Sequence, residues 1–133
     1  MRLPPDALLR PEAPPDDLLL VVRGGSMTLS DAHLANQVGD CWERHQFFGV
    51  SVFGAPQDDL VVLSRAVRAI RIRPVVRVAR SGTLRSAGFE VMPTFPNPYH
   101  FSVVLPAATP AAFDSLRTCF AEAESNPGHE PEE

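Results

Sequence analysis

The pattern of apolar and polar positions divides the chain into short alternating segments. Leu18-Leu19-Leu20-Val21-Val22 is an unbroken apolar run, which predicts a strand buried on both faces. Arg23-Gly24-Gly25-Ser26 then turns the chain, and Ser30 offers an N-cap with Asp31 in the first helical turn. Leu34, Val38, Cys41, Trp42 and His45 follow on one helical stripe, and the helix is expected to end before Phe47. Residues 48–53 read as a second strand, closed by Gly54-Ala55-Pro56.

A second helix is predicted from Gln57, with Asp58 and Asp59 at its positive end and Leu60, Leu63 and Val67 facing the core. Pro74 disfavours helix at Arg73, so residues 75–79 are expected to extend. Residues 81–88 form a short helix with Gly88 as a left-handed cap. Residues 89–95 and 99–105 alternate as strands around Pro96-Asn97-Pro98, a hairpin turn. Thr109-Pro110 opens a last helix with the apolar stripe Phe113, Leu116 and Phe120. The order β-α-β-α-β-α-β-β-α predicts an α+β fold: a mixed, mostly antiparallel sheet with a C-terminal hairpin and three to four helices.

Prolines change the picture at the N-terminus. Five fall within residues 1–17, so this stretch reads as a disordered, acidic arm. A single domain then covers residues 18–123, and a disordered acidic tail covers 124–133. No apolar run approaches a bilayer-spanning length and no secretion signal precedes the domain, so the expectation is a cytoplasmic protein without membrane contact. Cys41 and Cys119 lack the spacing of a disulfide framework or zinc site. The helical histidines His33 and His45 lack the i, i+4 spacing of a metal pair. Neither metal nor cofactor is expected.

Charge is distributed unevenly. The net charge is −4, yet residues 18–121 hold ten Arg against seven acids, and residues 60–89 hold seven Arg and no acid. The seven are Arg65, Arg68, Arg71, Arg73, Arg77, Arg80 and Arg85. Such a cluster suits a phosphate backbone, or equally a solvated face, or pairing with the chain's own acidic ends. His100 shares a strand face with Ser102, and Thr94 stands across the ladder. An imidazole there suits general acid–base work, and equally a structural hydrogen bond. The loop Arg23-Gly24-Gly25-Ser26 has the strand-to-helix setting of an anion cradle but not the P-loop spacing.

The stretch Thr83-Leu84-Arg85-Ser86-Ala87-Gly88-Phe89, continuing to Tyr99-His100-Phe101-Ser102, resembles the helix–Gly–strand–His–strand segment of HicA-type toxins, small bacterial mRNA-cleaving ribonucleases. The resemblance spans about residues 83–105 and lacks that family's Gly-Ser-His turn. It implies a metal-independent endoribonuclease with His100 as general acid or base. In that reading Arg80 and Arg85 would hold the scissile phosphate, and Ser102 or Tyr99 would position the 2′-hydroxyl. Arg65, Arg68, Arg71, Arg73 and Arg77 would bind the RNA. The competing expectation is a non-enzymatic module, such as an antitoxin, immunity protein or adaptor, whose Arg-rich face meets an acidic protein. The two part on whether His100 opens into a cleft beside Arg80 and Arg85 or lies against Thr94.

Overall fold

A computed structural model describes residues 14–22, 30–94, 99–120 and 122–130. Within them, six strands form one sheet with every neighbouring pair antiparallel. The elements in chain order are β1 (Leu19–Val22), α1 (Asp31–His45), β2 (Phe48–Ala55), α2 (Leu60–Ala66), α3 (Arg68–Arg71) and β3 (Val75–Arg80), followed by α4 (Ser81–Ser86), β4 (Glu90–Pro93), β5 (His100–Leu105), α5 (Pro110–Cys119) and β6 (Glu122–Ser125). A 3-10 turn at Pro56–Asp58 links β2 to α2. The strand order is β4-β5-β2-β1-β3-β6. The expected α+β domain is thus built on a wholly antiparallel sheet.

The apolar run of β1 follows from its position. It lies between β2 and β3, and helices cover both faces of the sheet, so neither side of its pleat meets water. Leu20 and Val22 join Val50, Val52, Val103 and Leu105 under Leu34, Val38, Leu84, Phe113 and Leu116 of α1, α4 and α5. Leu19 and Val21 join Phe53, Val76 and Val78 under Leu60, Leu63 and Ile70 of α2 and α3. Burial on both faces needs no parallel neighbour; two helical layers suffice.

β1 pairs with the C-terminal half of β2 only, from Val52 to Ala55. Beside the rest of that edge lies α1, whose Gln37 side-chain oxygen accepts the backbone N–H of Ser51. The helix comes so close that a Cβ on Gly49 would stand 2.9 Å from Cys41 Sγ, which explains glycine in a strand interior. Ser30 caps α1 by accepting from His33 N at 3.1 Å, and Thr109 caps α5 by accepting from Ala112 N. Gly88 holds φ at +96° after α4, the left-handed position expected of it.

Three expectations change. The predicted helix from Gln57 is a 3-10 turn followed by α2, because Gln57 and Asp58 both take positive φ and Asp59 becomes the N-cap, accepting from Val61 N and Val62 N. Trp42 leaves the buried stripe: it is 42% exposed and stacks on Phe48 with ring centroids 4.7 Å apart. The acidic tail expected from Glu124 contributes a strand instead. β6 pairs with β3, so the β4–β5 pair is not the C-terminal end of the sheet. Asn126 is then buried, donating to the Ile70 and Arg73 carbonyls and accepting from Ser64 Oγ and Gly128 N. Residues 1–13 and 131–133 of the expected arm and tail, the 23–26 loop and the Pro96-Asn97-Pro98 turn lie outside the described residues. No helix among the described residues is long and apolar enough to cross a membrane.

Candidate functional site

The candidate residues descend from two strands and three helices. β5 carries His100, Ser102 and Val104 on the face that α2 and α3 cover further along, because Phe101, Val103 and Leu105 are taken by the opposite core. Ser102 is buried, and its hydroxyl shares a 2.8 Å hydrogen bond with Thr94 Oγ1. The carbonyl of His100 accepts from Thr94 N at 2.9 Å. Its partly buried imidazole meets the Phe53 ring edge-on, at 5.2 Å between centroids and 77° between planes. Tyr99 packs against the second core, and its carbonyl accepts from Gly54 N.

The arginines separate into three groups. Arg80, at the end of β3, donates to Asp58 Oδ1 at 2.6 Å and to the Asp17 carbonyl at 2.8 Å. The hydrogen bond from Arg80 holds the Asp58 carboxyl below its usual range, and the same contact raises the guanidinium. Arg85, on α4, bonds the Asp16 carboxylate and the Pro14 carbonyl. Residues 14–18 are anchored further by Gly82 N donating to Asp16 O and Ser81 N to Leu18 O. The described end of the acidic arm therefore sits on two of the arginines assigned to catalysis.

Arg65 and Arg68 form the second group, both exposed on the α2–α3 surface, with Arg71 beside them donating to the Arg65 carbonyl at 3.5 Å. Val62 stands one turn before Arg65 on the same helix and is 38% exposed. The third group faces elsewhere. Arg77 donates to the Phe120 carbonyl at the end of α5, and Arg73 is partly buried, its Nε enclosed.

His100 and Arg80 are not brought together. β2 and β1 stand between their strands, a separation of roughly 14 Å at about 4.8 Å per strand, filled by Phe53 and Val21. Arg85 is further removed, on a helix packed against the other face. The arrangement that forms is His100 against Phe53, with Ser102 bonded to Thr94.

Neither cysteine is placed as a nucleophile. Burial raises the thiols of Cys41 and Cys119, which disfavours the reactive thiolate, and both are free. Among the described residues no group of three His, Cys, Asp or Glu side chains could hold a metal ion.

One feature was missed in the sequence. A cleft of about 690 Å³ opens at the end of β2, β4 and β5, walled by Trp42, Phe48, Pro106 and Glu90 over a floor of Phe47 and Val104. The signal was the adjacent pair Phe47-Phe48 five residues after the only tryptophan. Phe47 turns into the sheet and is 1% exposed, whereas Phe48 meets Trp42. The chain matches no protein-family model, no curated protein and no solved structure.

Proposed function

We propose that the protein is a non-enzymatic binding module that docks an acidic protein partner through its α2–α3 surface. The observation that carries this reading is the exposed Val62 set beside Arg65 and Arg68. A phosphate track asks for a line of cations, whereas an apolar side chain flanked by arginines suits a protein interface, where Arg is enriched and an apolar anchor is desolvated. The neighbourhood of His100 supports the same choice. A ribonuclease needs its imidazole beside a cation that meets the developing phosphate charge. Here the ring lies against Phe53, Ser102 is bonded to Thr94, and Arg80 and Arg85 are engaged by carboxylates.

Inducible expression in a bacterium tests it, with wild type beside His100→Ala and growth and RNA integrity followed together. Equal growth with intact RNA is expected. Growth arrest with cleaved RNA in the wild type alone would establish the ribonuclease reading instead. In the same cells Val62→Asp combined with Arg65→Glu is expected to lose partners that co-purify with the wild type, at an unchanged melting temperature. Retention of every partner by that variant would place the interface elsewhere.

A further inference from the structure

The Trp42–Phe48 cleft lies apart from the α2–α3 surface and takes no part in the proposed docking. It opens where β2 and β4 begin and β5 ends, and the last turn of α1 supplies its Trp42 wall. Its side chains agree in sign. Trp42 and Phe48 stack with centroids 4.7 Å apart, and Trp42 is still 42% exposed. An indole face attracts cations more strongly than the other aromatic side chains do. Glu90, exposed at the start of β4, is the one charged residue among those lining the cleft. Among the described residues no cation is paired with it: Arg44 of the last α1 turn is held by Asp40 at 3.3 Å, and Arg85 of α4 by Asp16.

The backbone adds to the same sign. α1 runs for 15 residues and ends at His45, so the negative end of its dipole lies beside Trp42 and Gln46 at the cleft. Gln46 caps that end: its backbone N–H and its side-chain amide both donate to the Trp42 carbonyl, at 2.9 and 3.1 Å. With the amide nitrogen so engaged, the Gln46 side chain offers the cleft an acceptor oxygen. Phe47 and Val104, both buried, make the floor apolar. The volume of about 690 Å³ is that of a small-molecule site.

We infer that the cleft binds a small organic cation, an alkylated ammonium ion whose charge lies between the Trp42 ring and Glu90 while its alkyl groups cover Phe47, Phe48 and Pro106. The lining selects this class against its alternatives. One carboxylate and one amide oxygen are too few ligands to replace the water of an inorganic cation. An anion would meet a carboxylate and a helix C-terminus. A neutral apolar ligand would leave Glu90 without a partner.

The chain's one tryptophan reports directly on the cleft. Choline is titrated into the full chain while Trp42 emission is followed, beside the neutral alcohol in which carbon replaces the choline nitrogen. Saturable binding of choline in the millimolar range is expected, with the alcohol about tenfold weaker. Glu90→Gln is expected to weaken choline binding about fivefold, and Trp42→Leu, read by calorimetry, about tenfold. Both side chains are exposed, so the fold is retained, and circular dichroism verifies it. Glu124→Gln on β6, at the opposite edge of the sheet, removes the same formal charge and should leave the affinity unchanged. Absence of saturable choline binding would overturn the inference. So would equal affinity for choline and the alcohol, which would make the cleft merely apolar, or equal losses in Glu90→Gln and Glu124→Gln, which would reduce the effect to net charge.

Discussion

At the scale of single residues, Asn126 binds the chain's end to the domain. Its amide donates to the carbonyls of Ile70 and Arg73, both 3.0 Å away, while its oxygen accepts from Ser64 Oγ and Gly128 N. Those partners lie at the end of α3 and in the loop into β3, where the Ile70 carbonyl also accepts from Arg73 N at 3.0 Å. Asn126→Ala would remove the amide from the Arg73 carbonyl and the acceptor from the buried Ser64 hydroxyl, and it is expected to lower unfolding stability by about 2 kcal/mol. Urea unfolding at equilibrium checks this; a change under about 0.5 kcal/mol would mean that water replaces the amide. The residue was visible in Asn126-Pro127-Gly128 only as a breaker, since nothing local announces that an asparagine after an acidic strand will meet carbonyls more than fifty positions earlier. Ser30, Thr109 and Gly88, by contrast, were legible, because capping is settled within four residues of chain.

At the scale of elements, the legible parts were those whose apolar period is local: β1, the α1 start, β3, and the α5 stripe of Phe113, Leu116 and Phe120. β6 was not legible. Its sequence Glu-Ala-Glu-Ser has no apolar face, and its strand form rests on backbone pairing to β3 at the sheet edge, where charged side chains also discourage further pairing. The turn before α2 was misread for a related reason. Gln57 and Asp58 sit at φ of 53° and 61°, a strained setting that the Asp58–Arg80 contact helps to hold. The folded chain binds the Asp58 proton less readily than the unfolded chain. The pair's stabilisation is therefore complete above the unfolded value of about 3.9 and is lost as pH falls through the lower folded value. Asp58→Asn removes the charge while keeping a residue that tolerates positive φ. Because both side chains are exposed, the expected loss at pH 7 is within about 1 kcal/mol. Thermal melts over a descending pH series should show wild type above the variant at pH 7, with the gap narrowing as pH falls below about 3.9. A gap that does not narrow with falling pH would assign the effect to backbone strain.

At the scale of the whole molecule, the arginine excess of residues 60–89 divides once the fold is drawn. Composition could reveal the excess but not its division, because Asp16 and Asp58 are distant in sequence from the arginines they meet. Arg80 and Arg85 turn to Asp58, Asp16 and the arm, and Arg117 bonds Asp31 at 2.6 Å and also Asp114. Arg65 and Arg68 project from the α2–α3 surface beside Val62. The outward positive field should therefore respond unequally to substitutions of equal formal charge. Retention on a heparin column measures that field, since elution salt rises with the number of cations that displace counterions. Arg65→Ala with Arg68→Ala is expected to elute at clearly lower salt than wild type. Arg80→Ala with Arg85→Ala is expected to change elution little, because those cations already face carboxylates. Asp16→Asn with Asp58→Asn should raise the elution salt by releasing the same two arginines. If the Arg80 and Arg85 pair weakened retention as much as the Arg65 and Arg68 pair, the acidic arm would not be neutralising its neighbours, and the arginine run would act as one continuous surface.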